Sequence, residues 1–266
     1  MRPRAAIFYF HDIVPEERLG EIEATHRPYA VTPEEFRAYV MAALESRRQA
    51  IPTAQVPREL GGLFYGITFD DGLASDYEHG FRILSELGVR ATFFVVPTVV
   101  DTPGYVTWSQ LREMVAAGME VGSHSLTHPF VDALDDAQLR HEFGESKRML
   151  EERLGLAVRS ASLPRGWAPP RIEPILRDLG YRVFCTSRVG WWHPGDEPLR
   201  MPRVAIRRGM PIEEFVSILN AEPRSLWTQQ TIDFAKNAAK AFLGRRGWNR
   251  LRTPIMKIRY ASEGRL

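Results

Sequence analysis

Apolar positions along the chain follow two alternating rhythms. Short runs rich in Val, Ile, Phe and Tyr read as strands: Ala5–Phe10, Phe64–Phe69, Ala91–Val96, Met119–Gly122, Ser160–Leu163 and Tyr181–Thr186. Between them apolar residues recur at helical spacing. The first helix opens at Thr32-Pro33-Glu34-Glu35, a capping box with proline at the first helical position, and runs through Phe36, Tyr39, Val40 and Leu44. Further helices are predicted over Tyr77–Leu87, Ser109–Ala117, Asp136–Leu154 and Arg171–Leu179, and these four stop at Gly88, Gly118, Gly155 and Gly180. Glycine closes a helix in the left-handed conformation, so each marks a joint to the next strand. Strand–helix alternation predicts parallel strands with crossover helices, and an open doubly wound sheet or a closed barrel both satisfy it. No Gly-x-Gly-x-x-Gly loop follows the first strand, which weakens the dinucleotide-binding version.

Composition narrows the picture. With 266 residues, 44% hydrophobic and 26% charged, the chain has globular proportions and is not a disordered scaffold. A net charge of +2 speaks against a general nucleic-acid binder. The charge is uneven, however: residues 229–266 hold nine Lys/Arg against Asp233 and Glu263, a net of +7 that leaves −5 for the rest. The single cysteine, Cys185, excludes an intramolecular disulfide and a cysteine zinc cluster, and its apolar setting suits a buried, inert thiol. Ala5–Phe10 is too short for a signal-peptide core and no stretch approaches the length of a membrane span. The expected location is cytoplasmic, with peripheral contact at the inner membrane surface as an option for the basic tail.

Two motifs carry the chemistry. Thr68-Phe69-Asp70-Asp71-Gly72 closes the second strand with adjacent carboxylates, which are costly there unless a positive group or a proton compensates them. Successive strand side chains point to opposite sides, so the two aspartates should have different jobs. The bland alternative is a simple Asp-Gly turn with Asp70 as a helix cap. The second motif, Ser123-His124-Ser125-Leu126-Thr127-His128-Pro129, follows another strand and brings two imidazoles close enough to share a transition-metal ion.

Together, in this order, the motifs resemble the first two of the polysaccharide deacetylases, the NodB-homology enzymes of carbohydrate esterase family four, over about residues 5–210. The resemblance implies a distorted (β/α) barrel of about seven parallel strands, taken as residues 1–228, and the charge and apolar pattern of the tail adds a basic helical extension over 229–266. It implies that Asp71, His124 and His128 hold a divalent metal, zinc first with cobalt or nickel as alternatives, and that Asp70 is the catalytic base. Such a set leaves a coordination position for water, as catalytic zinc sites require. The implied reaction is removal of N-acetyl groups from N-acetylhexosamine units of a polysaccharide or its precursor.

Two departures from the family pattern stand out. The third motif usually places an arginine two residues before a proline, but here Ser162 precedes Leu163-Pro164, and Arg165 stands where an aromatic residue is common. Pro164 and Arg165 are taken as substrate-binding candidates, Arg165 also as a residue that orients Asp70. The C-terminal leucine-x-histidine motif is missing, and Pro202-Arg203-Val204-Ala205-Ile206 occupies that region. The opening Tyr9-Phe10-His11-Asp12-Ile13 is instead similar to that of an exopolysaccharide-linked subgroup, in which the acid histidine comes from the first strand. His11 is therefore the candidate general acid, with His193 in reserve.

Trp167, Trp191 and Trp192 are expected on the same rim as a platform for sugar rings, or packed down as lids. His11, the aspartate pair, the histidine pair and Pro164-Arg165 follow four different strands, and active sites of barrels gather at those carboxyl ends. The basic tail reads as a docked amphipathic helix or as a contact for an anionic membrane or a glycan-assembly partner. Two rival functions remain: a same-fold hydrolase of a small non-sugar amide, and a catalytically silent glycan-binding module.

Overall fold

A computed structural model describes residues 5–23, 26–56, 63–166, 168–235 and 238. Among the described residues ten strands form: β1 (Ala6–Phe10), β2 (Asp12–Ile13), β3 (Ala30–Val31), β4 (Gln49–Ala50), β5 (Phe64–Phe69), β6 (Thr92–Val95), β7 (Glu120–Ser123), β8 (Ser160–Ser162), β9 (Val183–Cys185) and β10 (Val204–Ala205). The α-helices are α1 (Pro33–Glu45), α2 (Arg82–Glu86), α3 (Trp108–Ala116), α4 (Asp136–Leu154), α5 (Ile172–Asp178) and α6 (Ile212–Leu219). Seven parallel strands run in the order β10-β1-β5-β6-β7-β8-β9 as a curled half-barrel, with β4 alongside the start of β5. A parallel bridge between Cys185 and Met201 links the end of β9 to the segment before β10. The barrel alternative is thus the one the chain adopts.

Strand alternation sorts the core into two layers. Ala6, Phe8 and Phe10 of β1 and Tyr65, Ile67 and Phe69 of β5 face outward into the main core, which the helices cover. Ile7, Phe64, Phe94, Val183 and Cys185 face inward and fill the barrel with Trp192 and Met201. Gly122 makes that filling fit, because a Cβ there would lie 2.6 Å from the Phe94 ring and 2.7 Å from Ser160 Oγ. Cys185 is buried, and burial pushes its thiol up to about 12, as suits an inert core residue.

The predicted helix starts are built as read. Thr32 and Glu35 form the capping box of α1, and Gly155 ends α4 in the left-handed conformation with φ 67°. The segment read as one helix over Tyr77–Leu87 is in fact a wider-wound turn at Asp76–Phe81 running into α2. Residues 227–235 are helical, while 239–266, most of the basic extension, lie outside the described residues. Among the described residues no helix is long and apolar enough to cross a membrane.

Candidate active site

The site is assembled at the carboxyl ends of β5 and β7, with one side chain reaching in from the residue just before β10. Asp70 extends β5 by one step: its N–H donates to Phe10 O at 3.2 Å, and its side chain continues the inward alternation of Thr68. The chain then turns through two left-handed residues, Asp71 (φ 82°) and Gly72 (φ 73°). A non-glycine residue in that region costs on the order of 1 kcal/mol, and here the turn carries the Asp71 carboxylate away from Asp70 and over the rim.

His124 extends β7 in the same way, its N–H donating to Val95 O at 2.9 Å. Beyond it Ser125 (φ 62°) and His128 (φ 58°) are also left-handed, folding the loop back on itself. Hydrogen bonds hold this strained loop. His128 N donates to Ser125 Oγ at 3.0 Å, and the Glu142 carboxylate on α4 accepts from Leu126 N and Thr127 N at 3.0 Å each and from Thr127 Oγ1 at 2.7 Å. The His124 Nδ1 lies 2.5 Å from Ser162 Oγ on the neighbouring strand.

The turn and the loop bring three donors together. Asp71 Oδ1 lies 3.3 Å from His124 Nε2 and 3.3 Å from His128 Nε2, and one ligand atom from each residue falls within 4.8 Å of the others. Bonds of ~2.1 Å to a tetrahedral ion place ligand atoms ~3.4 Å apart, so the spacing and the one-carboxylate, two-imidazole chemistry fit a divalent cation. The protonation states fit as well. Burial would push the Asp71 carboxyl up, but the His124 and His128 imidazoles hold it far below its usual value. Burial, with His124 beside it, lowers His128 to about 4, leaving a neutral ring at pH 7.

Asp70 takes the other partner. Arg203, just before β10, donates through both terminal nitrogens to the two Asp70 oxygens at 2.8 Å each, a bidentate pair in which both side chains are buried. Arg203 Nε donates to Thr186 O at 3.1 Å, and the guanidinium stands 4.5 Å from the Tyr9 ring centroid. Burial would raise the Asp70 carboxyl, and the guanidinium more than reverses that, keeping it ionised. Arg165 does not make this contact. It donates to His128 O at 3.2 Å and covers the Phe130 ring at 4.5 Å, so the idea that it orients Asp70 is corrected in favour of Arg203.

His11 stands at the same end. Its ring packs between Tyr9 (5.3 Å) and Tyr29 (5.2 Å), its Nδ1 is buried without a hydrogen-bond partner, and Asp71 and Asp70 both act on it electrostatically. Burial lowers its pKa despite those carboxylates. Pro164, buried, and Arg165 sit in the short turn after β8 beside His128.

Two of the three tryptophans are a correction. Trp192 pairs through its backbone with Ala5, at the start of β1 and so at the opposite end of the barrel from Asp70. It is fully buried against Phe64, a filler of the barrel rather than a sugar platform. Trp191 precedes it and ties its Nε1 to Ile218 O at 2.9 Å. His193 follows at that same end, bonded to Asp196, so the reserve acid lies away from the aspartates. Trp167 is outside the described residues.

Arg203 is the functional residue that sequence reading passed over. A charged residue directly before Val204 and Ile206 in an apolar strand had to meet an opposite charge, and Asp70 was a buried carboxylate in want of one.

A carboxylate and two imidazoles thus converge at the carboxyl rim of a parallel half-barrel, in an arrangement that could hold a divalent cation. The same fold occurs in the Streptococcus pyogenes deacetylase PplD in complex with acetate (TM-score 0.73, 21% identity, 84% of this chain and 100% of that one) and in IcaB from Ammonifex degensii (TM-score 0.68, 24% identity, 82% and 96%). Residues 61–184, which contain both motifs, match the polysaccharide deacetylase family model. Curated relatives agree over shorter stretches: the putative polysaccharide deacetylase YxkH of Bacillus subtilis is 25% identical over 54% of this chain and 52% of its own length. The chitin deacetylase of Colletotrichum lindemuthianum is 30% identical over 57% and 65%, and the chitooligosaccharide deacetylase of a Bradyrhizobium species 33% over 39% and 44%. The chain thus spans less than two thirds of these relatives' lengths.

Proposed function

We propose that the chain is a metal-dependent N-deacetylase acting on N-acetylhexosamine units of a polysaccharide or its precursor. One observation carries the reading: an ionised aspartate locked by a buried arginine lies next to a second aspartate that shares its oxygen with two imidazoles. Relatives named as chitin and chitooligosaccharide deacetylases support the substrate class.

Asp71, His124 and His128 would hold the ion, which supplies Lewis acidity toward the acetamide carbonyl and lowers the pKa of water. Asp70, fixed in place and ionised by Arg203, takes the proton from the attacking water. The leaving amine is a poor leaving group and needs a proton. His11, at the end of β1 and electrostatically coupled to both aspartates, is the candidate to give it in this reading. Arg165 and Pro164, in the turn beside His128, are the candidate saccharide-binding residues of this reading.

The test is a substrate panel on the zinc-loaded chain. Acetate release from N-acetylglucosamine oligomers, absent for a ring amide and for formamide, supports the reading. Turnover of the small amides alone moves the assignment to a non-sugar amidase. Saccharide binding with no acetate release identifies a silent glycan-binding module.

A further inference from the structure

The serine that stands in place of the expected arginine has a partner of its own. β8 is three residues long, Ser160-Ala161-Ser162, and all three are buried. Ala161 joins the outer core and pairs in register with Ser123, so Ser160 and Ser162 both face the interior. They meet different groups. Ser160 Oγ donates to Glu120 at the start of β7, and Ser162 Oγ lies 2.5 Å from Nδ1 of His124 just past the end of β7.

We infer that Ser162 is a positioning residue for the metal centre, fixing the ring and tautomer of His124 so that Nε2 presents its lone pair to the ion. The inference rests on the reading of Asp71, His124 and His128 as ligands. His124 Nε2 faces Asp71 Oδ1 at 3.3 Å. A histidine can ligate through Nε2 only if the proton sits on Nδ1, and a buried Nδ1–H needs an acceptor. Ser162 Oγ is at hydrogen-bond distance to be that acceptor. An arginine at 162 would set donor against donor there. Arg203 already reaches Asp70 from the last strand, so position 162 is free to serve the imidazole instead.

The experiment compares zinc affinity in three full-length variants, stripped with chelator and titrated against a chromophoric competitor. Ser162→Ala is expected to weaken zinc binding about 10- to 100-fold, the usual effect of removing a group that orients a ligand. Ser162→Thr keeps the hydroxyl and is expected to retain wild-type affinity, and it stands as the reporter if the alanine variant fails to fold: a folded threonine variant that has lost its zinc overturns the role. Ser160→Ala, on the same strand and face, is expected to lower thermal stability and leave zinc affinity unchanged. Cobalt substitution adds a signature that a merely structural role would not move: the ligand-field bands shift in Ser162→Ala and not in Ser160→Ala. Equal zinc affinity in wild type and Ser162→Ala overturns the role of Ser162 alone, as does equal weakening in both alanine variants. A wild-type chain that binds no zinc overturns the metal reading beneath it.

Discussion

The two ends of the barrel interior are lined from the same strands yet treat an inward-facing acid in opposite ways. At the amino end the Glu120 carboxylate accepts from Ser160 Oγ, from Thr92 Oγ1 and Ala54 N at 2.9 Å each, and from Thr53 Oγ1 at 3.3 Å. All four donors are neutral, and burial pushes its pKa up despite them. At the carboxyl end Asp70 meets a guanidinium and its pKa falls. Residue type alone does not separate these sites. The charge of the partner does, together with the turns at the carboxyl rim, where the left-handed residues Asp71 and His128 bring side chains to one point.

The contrast can be broken at several strengths. The largest effect belongs to Asp70→Asn, which keeps the shape, removes the base and is expected to abolish acetate release while zinc content stays near one ion per chain. Loss of zinc in that variant would mean the two aspartates have been assigned the wrong way round. His11→Ala is expected to slow turnover by roughly 10²- to 10⁴-fold, the range for general acid–base groups, again with zinc retained. Normal turnover would exclude it as the acid. Arg203→Ala strands a buried carboxylate and is expected to cost about 3–5 kcal/mol of stability, read by denaturant melts. A variant as stable as wild type would contradict the buried pair.

The smallest effect lies at the amino end. A carboxyl whose folded pKa is raised contributes stability that is fully present below the unfolded pKa and is lost as pH rises through the folded one. Glu120→Gln, which cannot ionise, is therefore expected to lose less stability than wild type when melts at pH 4 and pH 8 are compared, with acetate release unchanged. The same pH dependence of stability in Glu120→Gln and wild type would show that Glu120 is not held neutral.

Much of this was legible in the chain itself. The strand–helix rhythm and the glycine stops gave six of the seven parallel strands, β10 being too short to read, because each crossover helix buries one apolar stripe against the sheet, a local pattern with a global consequence. Asp71, His124 and His128 were legible because they sit in short motifs that the strand ends bring together. Arg203 was not, since its partner is 133 residues away and only register places it. Trp191 and Trp192 misled for the same reason: the loop after β9 reaches back to Ala5, and nothing local marks that return. The clamp by Glu142 on α4 was hidden as well, one carboxylate among many on a polar helix until the loop folds onto it.

The most direct measurement is acetate release from an N-acetylglucosamine oligomer by metal-stripped protein titrated with zinc. The account predicts activity that rises linearly and levels at one equivalent, and that stays at baseline for His128→Ala over the same range. Full activity in the stripped protein, or a rise to the same level in His128→Ala at one equivalent, would contradict it.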